Sequence, residues 1–286
     1  MFRKILFISL ALLLSSSAVK FALFNQPVLA APIAVDRRTR EQILGATVFI
    51  SMFVPLTDAQ GNPQYVRVDG QRAIQLTVGE GLGTMVRHGE EVVIVTHDHW
   101  PLPASERLDG STGSPTPELV EGRRTLRRVE FRNVDHELLL EMSGEQFLQL
   151  IRYRDGGTMV LSAPDVLAGR LSAVPLGGSD SAGKNDMVTL AHRQSHSGQI
   201  GVAKMRVQKE ITYKGQPVYR LTSLNGEVVI EGNSGGGVLF DGQLIGNMWG
   251  TIMVEEVSRV SGSGAGSPQQ TSFSLAAQLP EAVVGQ

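Results

Sequence analysis

From Thr47 onward, short apolar runs rich in valine, isoleucine, threonine and aromatic residues alternate with turn-forming clusters, and this punctuation most constrains the fold. Thr47–Val54, Tyr65–Val68, Ile74–Val78, Gly83–Arg87 and Val92–Thr96 each read as a strand, with Asp58 to Pro63 and Asp69-Gly70 as breakers. The same pattern predicts strands at Leu126–Phe131, Glu137–Met142, Phe147–Tyr153, Thr158–Ser162, Met187–Ala191, Gly201–Gln208, Val218–Ser223, Gly237–Phe240 and Leu244–Met253. Many short strands, preceded by one short helix over Arg37–Leu44, imply an all-β barrel or sandwich. Two stretches break the pattern: 101–124, rich in Pro, Ser, Thr and Gly, and 258–270, rich in Ser and Gly. The first has no apolar period and neither has a core to bury, so both read as surface excursions. Phe273 to Val284 alternates and then turns helical, which predicts a docked C-terminal segment.

The first residues are of another kind. Arg3 and Lys4 precede an apolar run from Ile5 to Leu14, and a second apolar patch ends in small residues at Ala30-Ala31. A charged start, an apolar middle and a small-residue end form an export signal cut near Ala30. The alternative is an uncleaved membrane anchor, since residues 5–24 carry only Lys20 as a charged interruption. Cleavage would remove three of 26 basic residues and leave 23 against 28 acidic ones, a net of −5. Such a balance offers nucleic acid or an anionic surface no electrostatic attraction. The chain has no cysteine, so disulfides, thiolate metal sites and a thiol nucleophile are excluded, and stability must come from the core.

One glycine cluster carries a candidate for chemistry. Gly232-Asn233-Ser234-Gly235-Gly236 matches Gly-x-Ser-x-Gly, the nucleophile elbow of α/β-hydrolases, whose triads run Ser, acid, His. All six histidines (His88, His97, His99, His136, His192, His196) precede Ser234, so that order fails. The order His, Asp, Ser remains, which is the order of double-barrel serine proteases. A serine hydroxyl becomes a useful nucleophile only when an imidazole takes its proton and a carboxylate orients that imidazole.

The strand Val92 to Thr96 runs into His97-Asp98-His99, and this Thr-x-x-His ending resembles the trypsin-like family, in particular its bacterial HtrA-type branch. Gly81-Leu82-Gly83-Thr84 resembles the preceding strand of that family, and Ala173 to Ser179 its Leu-Pro-Leu-Gly segment. Glu231 to Gly236 resembles its nucleophile loop, and Gly242 to Gly246 with Trp249-Gly250 its closing hairpin. The resemblance spans Ile43 to Val284. It implies two six-stranded antiparallel β-barrels, at about 43–165 and 170–284, with a short C-terminal helix. The branch usually carries an appended PDZ domain, and none follows here. The resemblance further implies a serine endopeptidase with Ser234 as nucleophile and His99 as general base, His97 being the alternative. Backbone N–H groups of Gly232 and Ser234 would form the oxyanion hole.

The orienting acid departs from the family's pattern. The register position is Gly157, and the nearest carboxylate is Asp155, with Asp135 as alternative. A catalytically impaired binding module is the rival reading that this gap supports. The resemblance puts Val228, six residues before Ser234, at the base of the primary pocket, with Met248, Trp249 and Gly250 as its wall. An apolar floor implies a small or apolar residue before the scissile bond. Thr96-His97-Asp98-His99 also opens the metallo-β-lactamase signature, but Pro101 and Leu102 stand where its Asp-His should follow, so no metal is expected and a metal-dependent hydrolase around His97 and His99 is the third reading. The resemblance implies no cofactor and peptide or protein substrates, while a membrane tether would follow only from an uncleaved N-terminus.

Overall fold

The computed structural model describes residues 34 to 283 apart from 59, 61, 99–125, 156, 179–181, 195–196, 225–232, 257–268 and 281–282. The expected export signal and the 101–124 excursion lie outside the described residues, as does all of the 258–270 excursion except its last two positions.

Helix α1 (Arg37–Ala46) starts where the Asp36 side chain accepts the Thr39 N–H at 2.9 Å, a local cap for an otherwise unpaired donor. It leads directly into β1 (Thr47–Pro55), and the Thr47 hydroxyl donates back to the Ile43 carbonyl at 2.8 Å. The N-terminal half continues with β2 (Tyr65–Val68), β3 (Gln71–Ile74), β4 (Leu76–His88), β5 (Glu91–Thr96), β6 (Arg128–Arg132) and β7 (Leu138–Ser143). After the short α2 (Gly144–Leu148) come β8 (Ile151–Asp155) and β9 (Thr158–Ser162), then α3 (Asp165–Ala168) and β10 (Val174–Pro175). These strands make one eight-stranded sheet in the order β7-β6-β1-β4-β5-β9-β8, with β10 parallel to β4, while β2 and β3 form a separate hairpin.

The C-terminal half is a closed six-stranded barrel, β11-β12-β13-β16-β15-β14. Its strands are β11 (Met187–Arg193), β12 (Ile200–Tyr213), β13 (Gln216–Ser223), β14 (Gly237–Phe240), β15 (Gln243–Glu256) and β16 (Gln269–Gln278). The all-β, trypsin-like architecture expected from sequence is therefore present. The N-terminal half differs from the expected six-stranded antiparallel barrel: it is an eight-stranded sheet whose path runs from β7 to β8 without closing, because β8 folds back on β9 rather than pairing with β7, and β10 adds a parallel pairing beside β4. The strand expected over Phe147–Tyr153 is split as well. Ser143 and Gln146 form a reciprocal capping box that nucleates α2 and buries Phe147, and only then does β8 begin. At the C-terminus the Val283 N–H donates to the Pro280 carbonyl at 2.8 Å, while the flanks of the expected short helix lie outside the described residues.

Each half has its own core. Ile50, Leu82, Met85, Ile94, Phe131 and Leu161 fill the first; Leu190, Met205, Tyr219, Leu221, Val238 and Met248 fill the second. Burying each such side chain contributes about 1.5–3 kcal/mol, enough to hold both halves without disulfides. Among the described residues no helix is long and apolar enough to cross a membrane.

Candidate active site

Ser234 lies in the turn that enters β14, and this turn is pressed onto the N-terminal sheet. The Ser234 carbonyl accepts the Leu82 N–H of β4 at 2.8 Å. Gly235 has φ of +89°, and a Cβ there would fall 2.0 Å from the Leu82 carbonyl oxygen and 2.4 Å from the Thr96 hydroxyl. Both the backbone angle and the contact therefore demand glycine. From the other side, Met248 of β15 accepts the Gly235 N–H at 2.7 Å and donates to the Gly236 carbonyl at 2.8 Å. The half-buried Ser234 hydroxyl donates to the Trp249 carbonyl at 3.1 Å. Asn233 is fully buried and uses its amide as a clip on β11, accepting the Arg193 N–H and donating to the Arg193 carbonyl. Arg193 in turn reaches Glu80 of β4 at 2.8 Å, a second tie between the halves.

The histidine-bearing segment starts where Thr96 ends β5 and its hydroxyl donates to the Leu82 carbonyl at 2.6 Å. His97 is fully buried, so it is no solvated loop histidine. A Cβ at Gly81 would lie 2.8 Å from His97 Nε2 and 2.9 Å from the Ser234 carbonyl oxygen, which places this imidazole beside the nucleophile turn. Asp98 is 3% exposed. Burial pushes the Arg154 guanidinium pKa down, and the Asp98 carboxylate nearby opposes that shift. His99, Gly232 and Val228, expected as base, oxyanion donor and pocket floor, lie outside the described residues.

The turn between β8 and β9 carries the candidate acid. Asp155 closes β8 directly opposite Thr158. Gly157 has φ of +81°, and a Cβ there would come within 3.2 Å of the Trp249 indole. An aspartate at that position, where the family register puts it, would be strained and crowded, which is the physical reason for the glycine. Thr158 and Asn247, both fully buried, meet across the halves: the Thr158 hydroxyl donates to Asn247 Oδ1 at 2.7 Å, and Asn247 Nδ2 donates to the Gly157 carbonyl at 3.0 Å. Asp135, the alternative acid, is exposed in the turn between β6 and β7, with its N–H donating to the Asn133 side chain at 3.1 Å.

The expected pocket wall is placed in part. Met248 has its side chain in the core of the second barrel, and Trp249 packs edge-on against Tyr213 at 5.5 Å. Gly250 faces open space, and a bulge in the β15–β16 pairing falls between Met248 and Gly250. Among the described residues no group of three or more His, Asp or Glu side chains is placed to hold a metal ion. Sequence reasoning missed Asn247 and Thr158. The available signal was a lone amide inside the apolar run Leu244 to Val254, since a buried polar side chain must find partners.

No family model matches this sequence, and no curated protein matches it. Solved structures do match in shape. An alanine-for-serine variant of the HtrA-type protease AlgW with decapeptide is 13% identical, with a TM-score of 0.50 over 84% of this chain and 62% of that one. This chain thus spans under two thirds of that protease's length. The Rv3671c protease of M. tuberculosis in its active form is 15% identical, with a TM-score of 0.44, covering 91% of this chain and 88% of that one. The likeness is one of fold: this chain is built on the all-β, trypsin-like frame of the HtrA-type protease AlgW.

Proposed function

We propose that the chain is an exported serine endopeptidase that cleaves peptide bonds through an acyl-enzyme. Ser234 attacks the carbonyl, His99 takes its proton, and Asp155 orients the imidazole. Backbone N–H groups of Gly232 and Ser234 stabilise the oxyanion, typically about 3–4 kcal/mol per donor. Val228 floors an apolar primary pocket beside Trp249 and Gly250, so small or apolar residues precede the cleaved bond. The export-signal pattern over residues 1–30 supports a mature protein outside the cytoplasm, with peptides or proteins as its substrates.

The observation that carries this reading is the Ser234 turn. A glycine-tight turn held from β4 by the Leu82 N–H and from β15 by Met248 fixes a half-buried hydroxyl at the junction of the two halves. The rival is a binding module without turnover, favoured by the glycine that stands at position 157 of the β8–β9 turn where the family register puts the acid. A fluorophosphonate probe separates them, with Ser234→Ala and a chelator as controls. Labelling of the wild type that is abolished in Ser234→Ala and indifferent to the chelator is the expected result. A folded but unreactive wild type would establish the binding module instead. Cleavage only after Arg or Lys would remove Val228 from the pocket.

A further inference from the structure

We infer that the Thr158–Asn247 hydrogen bond is a positioning link that holds the Asp155 turn and the Ser234 turn in fixed relation across the two halves. The inference rests on the proposed hydrolysis at Ser234. Asn247 turns both ends of its amide to the β8–β9 connection, accepting from the Thr158 hydroxyl at 2.7 Å and donating to the Gly157 carbonyl at 3.0 Å. The next two residues of the same strand hold the nucleophile turn. Met248 accepts the Gly235 N–H and donates to the Gly236 carbonyl, and the Trp249 carbonyl accepts the Ser234 hydroxyl. On the opposite side Thr158 pairs directly with Asp155 in the β8–β9 ladder. A continuous path thus runs from Asp155 through Thr158, Asn247 and Met248 to Ser234.

Directional bonds are what this junction needs. A Cβ at Gly157 would stand 3.2–3.3 Å from the Trp249 ring, but a ring beside a glycine sets no register by itself, and position 157 has no side chain with which to set one. Two hydrogen bonds with both partners fully buried do set it, because their length and angle tolerate little sliding. An aliphatic residue at 247 would fill the same space in β15 while leaving the Gly157 carbonyl without this donor and the Thr158 hydroxyl without this acceptor.

The test measures the rate of fluorophosphonate labelling against pH, with melting temperature recorded alongside, for wild type, Thr158→Val and Thr158→Ser. Displacing a reacting group by about an ångström costs on the order of a hundredfold, so Thr158→Val should lose about that much of the plateau rate. Its midpoint should also move to lower pH, because an imidazole that loses its carboxylate holds its proton less firmly. Thr158→Ser keeps the donor and should recover most of the rate and the midpoint. Where Thr158→Val does not fold, Thr158→Cys, with a weak donor of near-equal size, carries the same expectation. A lower melting temperature with rate and midpoint unchanged overturns the link and leaves a merely structural bond. A Thr158→Ser as impaired as Thr158→Val overturns it too. An unreactive wild type removes the hydrolase reading and the link with it, whereas a reactive wild type with an unaffected Thr158→Val removes the link alone.

Discussion

The nucleophile turn and the acid turn both rest on a glycine with positive φ pressed against the other half of the molecule, yet the two are held in different ways. At Gly235 the neighbours are the Leu82 carbonyl and the Thr96 hydroxyl, 2.0 and 2.4 Å from where a Cβ would stand. At Gly157 the neighbour is the Trp249 ring, at 3.2–3.3 Å. Backbone in a paired strand does not yield, while a side chain ring at a strand bulge yields by tenths of an ångström. The first contact therefore admits one residue type, and the second only prefers it.

The largest effect that follows is at Gly235. Gly235→Ala must move the turn away from β4, break the Leu82–Ser234 hydrogen bond and force a left-handed φ on alanine. A loss of about 4 kcal/mol or more is expected in urea unfolding, with labelling at Ser234 abolished in whatever folds. A variant with wild-type stability would show that the turn is not pressed onto the sheet, and the contrast between the two turns would collapse.

This difference in constraint is also why one turn was legible in the sequence and the other was not. Around Ser234 the demand falls on the backbone, so it appears as consecutive glycines that a reader can match to a mechanism. The flanking strands were legible for a similar reason: Thr158–Ser162 and Gly237–Phe240 occur with the boundaries that their apolar runs suggest. β4 was not, since its residues read as two strands, Ile74–Val78 and Gly83–Arg87, whereas one strand runs unbroken from Leu76 to His88 through Gly79, Gly81 and Gly83. There the glycines make room rather than turns: a Cβ at Gly81 would meet His97, and one at Gly83 would meet Ile94 and Ile50. α2 escaped notice because its signal is a side-chain reciprocity between Ser143 and Gln146 rather than a periodicity. The acid turn depends on partners 89 and 90 residues away, Asn247 reaching Thr158 and Gly157, and no local pattern encodes such a pairing.

A milder outcome is expected at Gly157. Gly157→Ala imposes φ of about +81° on alanine and crowds Trp249 without meeting backbone. The cost should be about 1–2 kcal/mol in thermal or urea unfolding, accompanied by a change in tryptophan fluorescence as the indole shifts. A loss matching that of Gly235→Ala would mean that Trp249 is as immovable as the β4 backbone, and the distinction drawn between the turns would fail.

β8 offers the last and smallest contrast, because its two ends are held by opposite kinds of chemistry. Its Asp155 end pairs with Thr158 of β9, which makes the neutral, buried link to Asn247, while its other end is tied by Arg152, which bonds the Glu91 carboxylate of β5 and the Ser162 hydroxyl in solvent. The hydrogen bond and charge of Arg152 hold the Glu91 carboxyl pKa below its ordinary value. A carboxyl with a folded-state pKa lowered in this way adds stability that is fully present above its unfolded value and is lost as pH falls through the folded one. Glu91→Gln should therefore destabilise slightly at neutral pH, and the gap to wild type should close in acid as both proteins come to carry an uncharged group at that position. Because the pair is exposed, added salt should shrink the neutral-pH gap as well. Paired unfolding curves at neutral and acidic pH, with and without salt, read both trends. A gap that persists unchanged in acid would mean that Glu91 contributes through packing rather than charge, and the two ends of β8 would then be held alike.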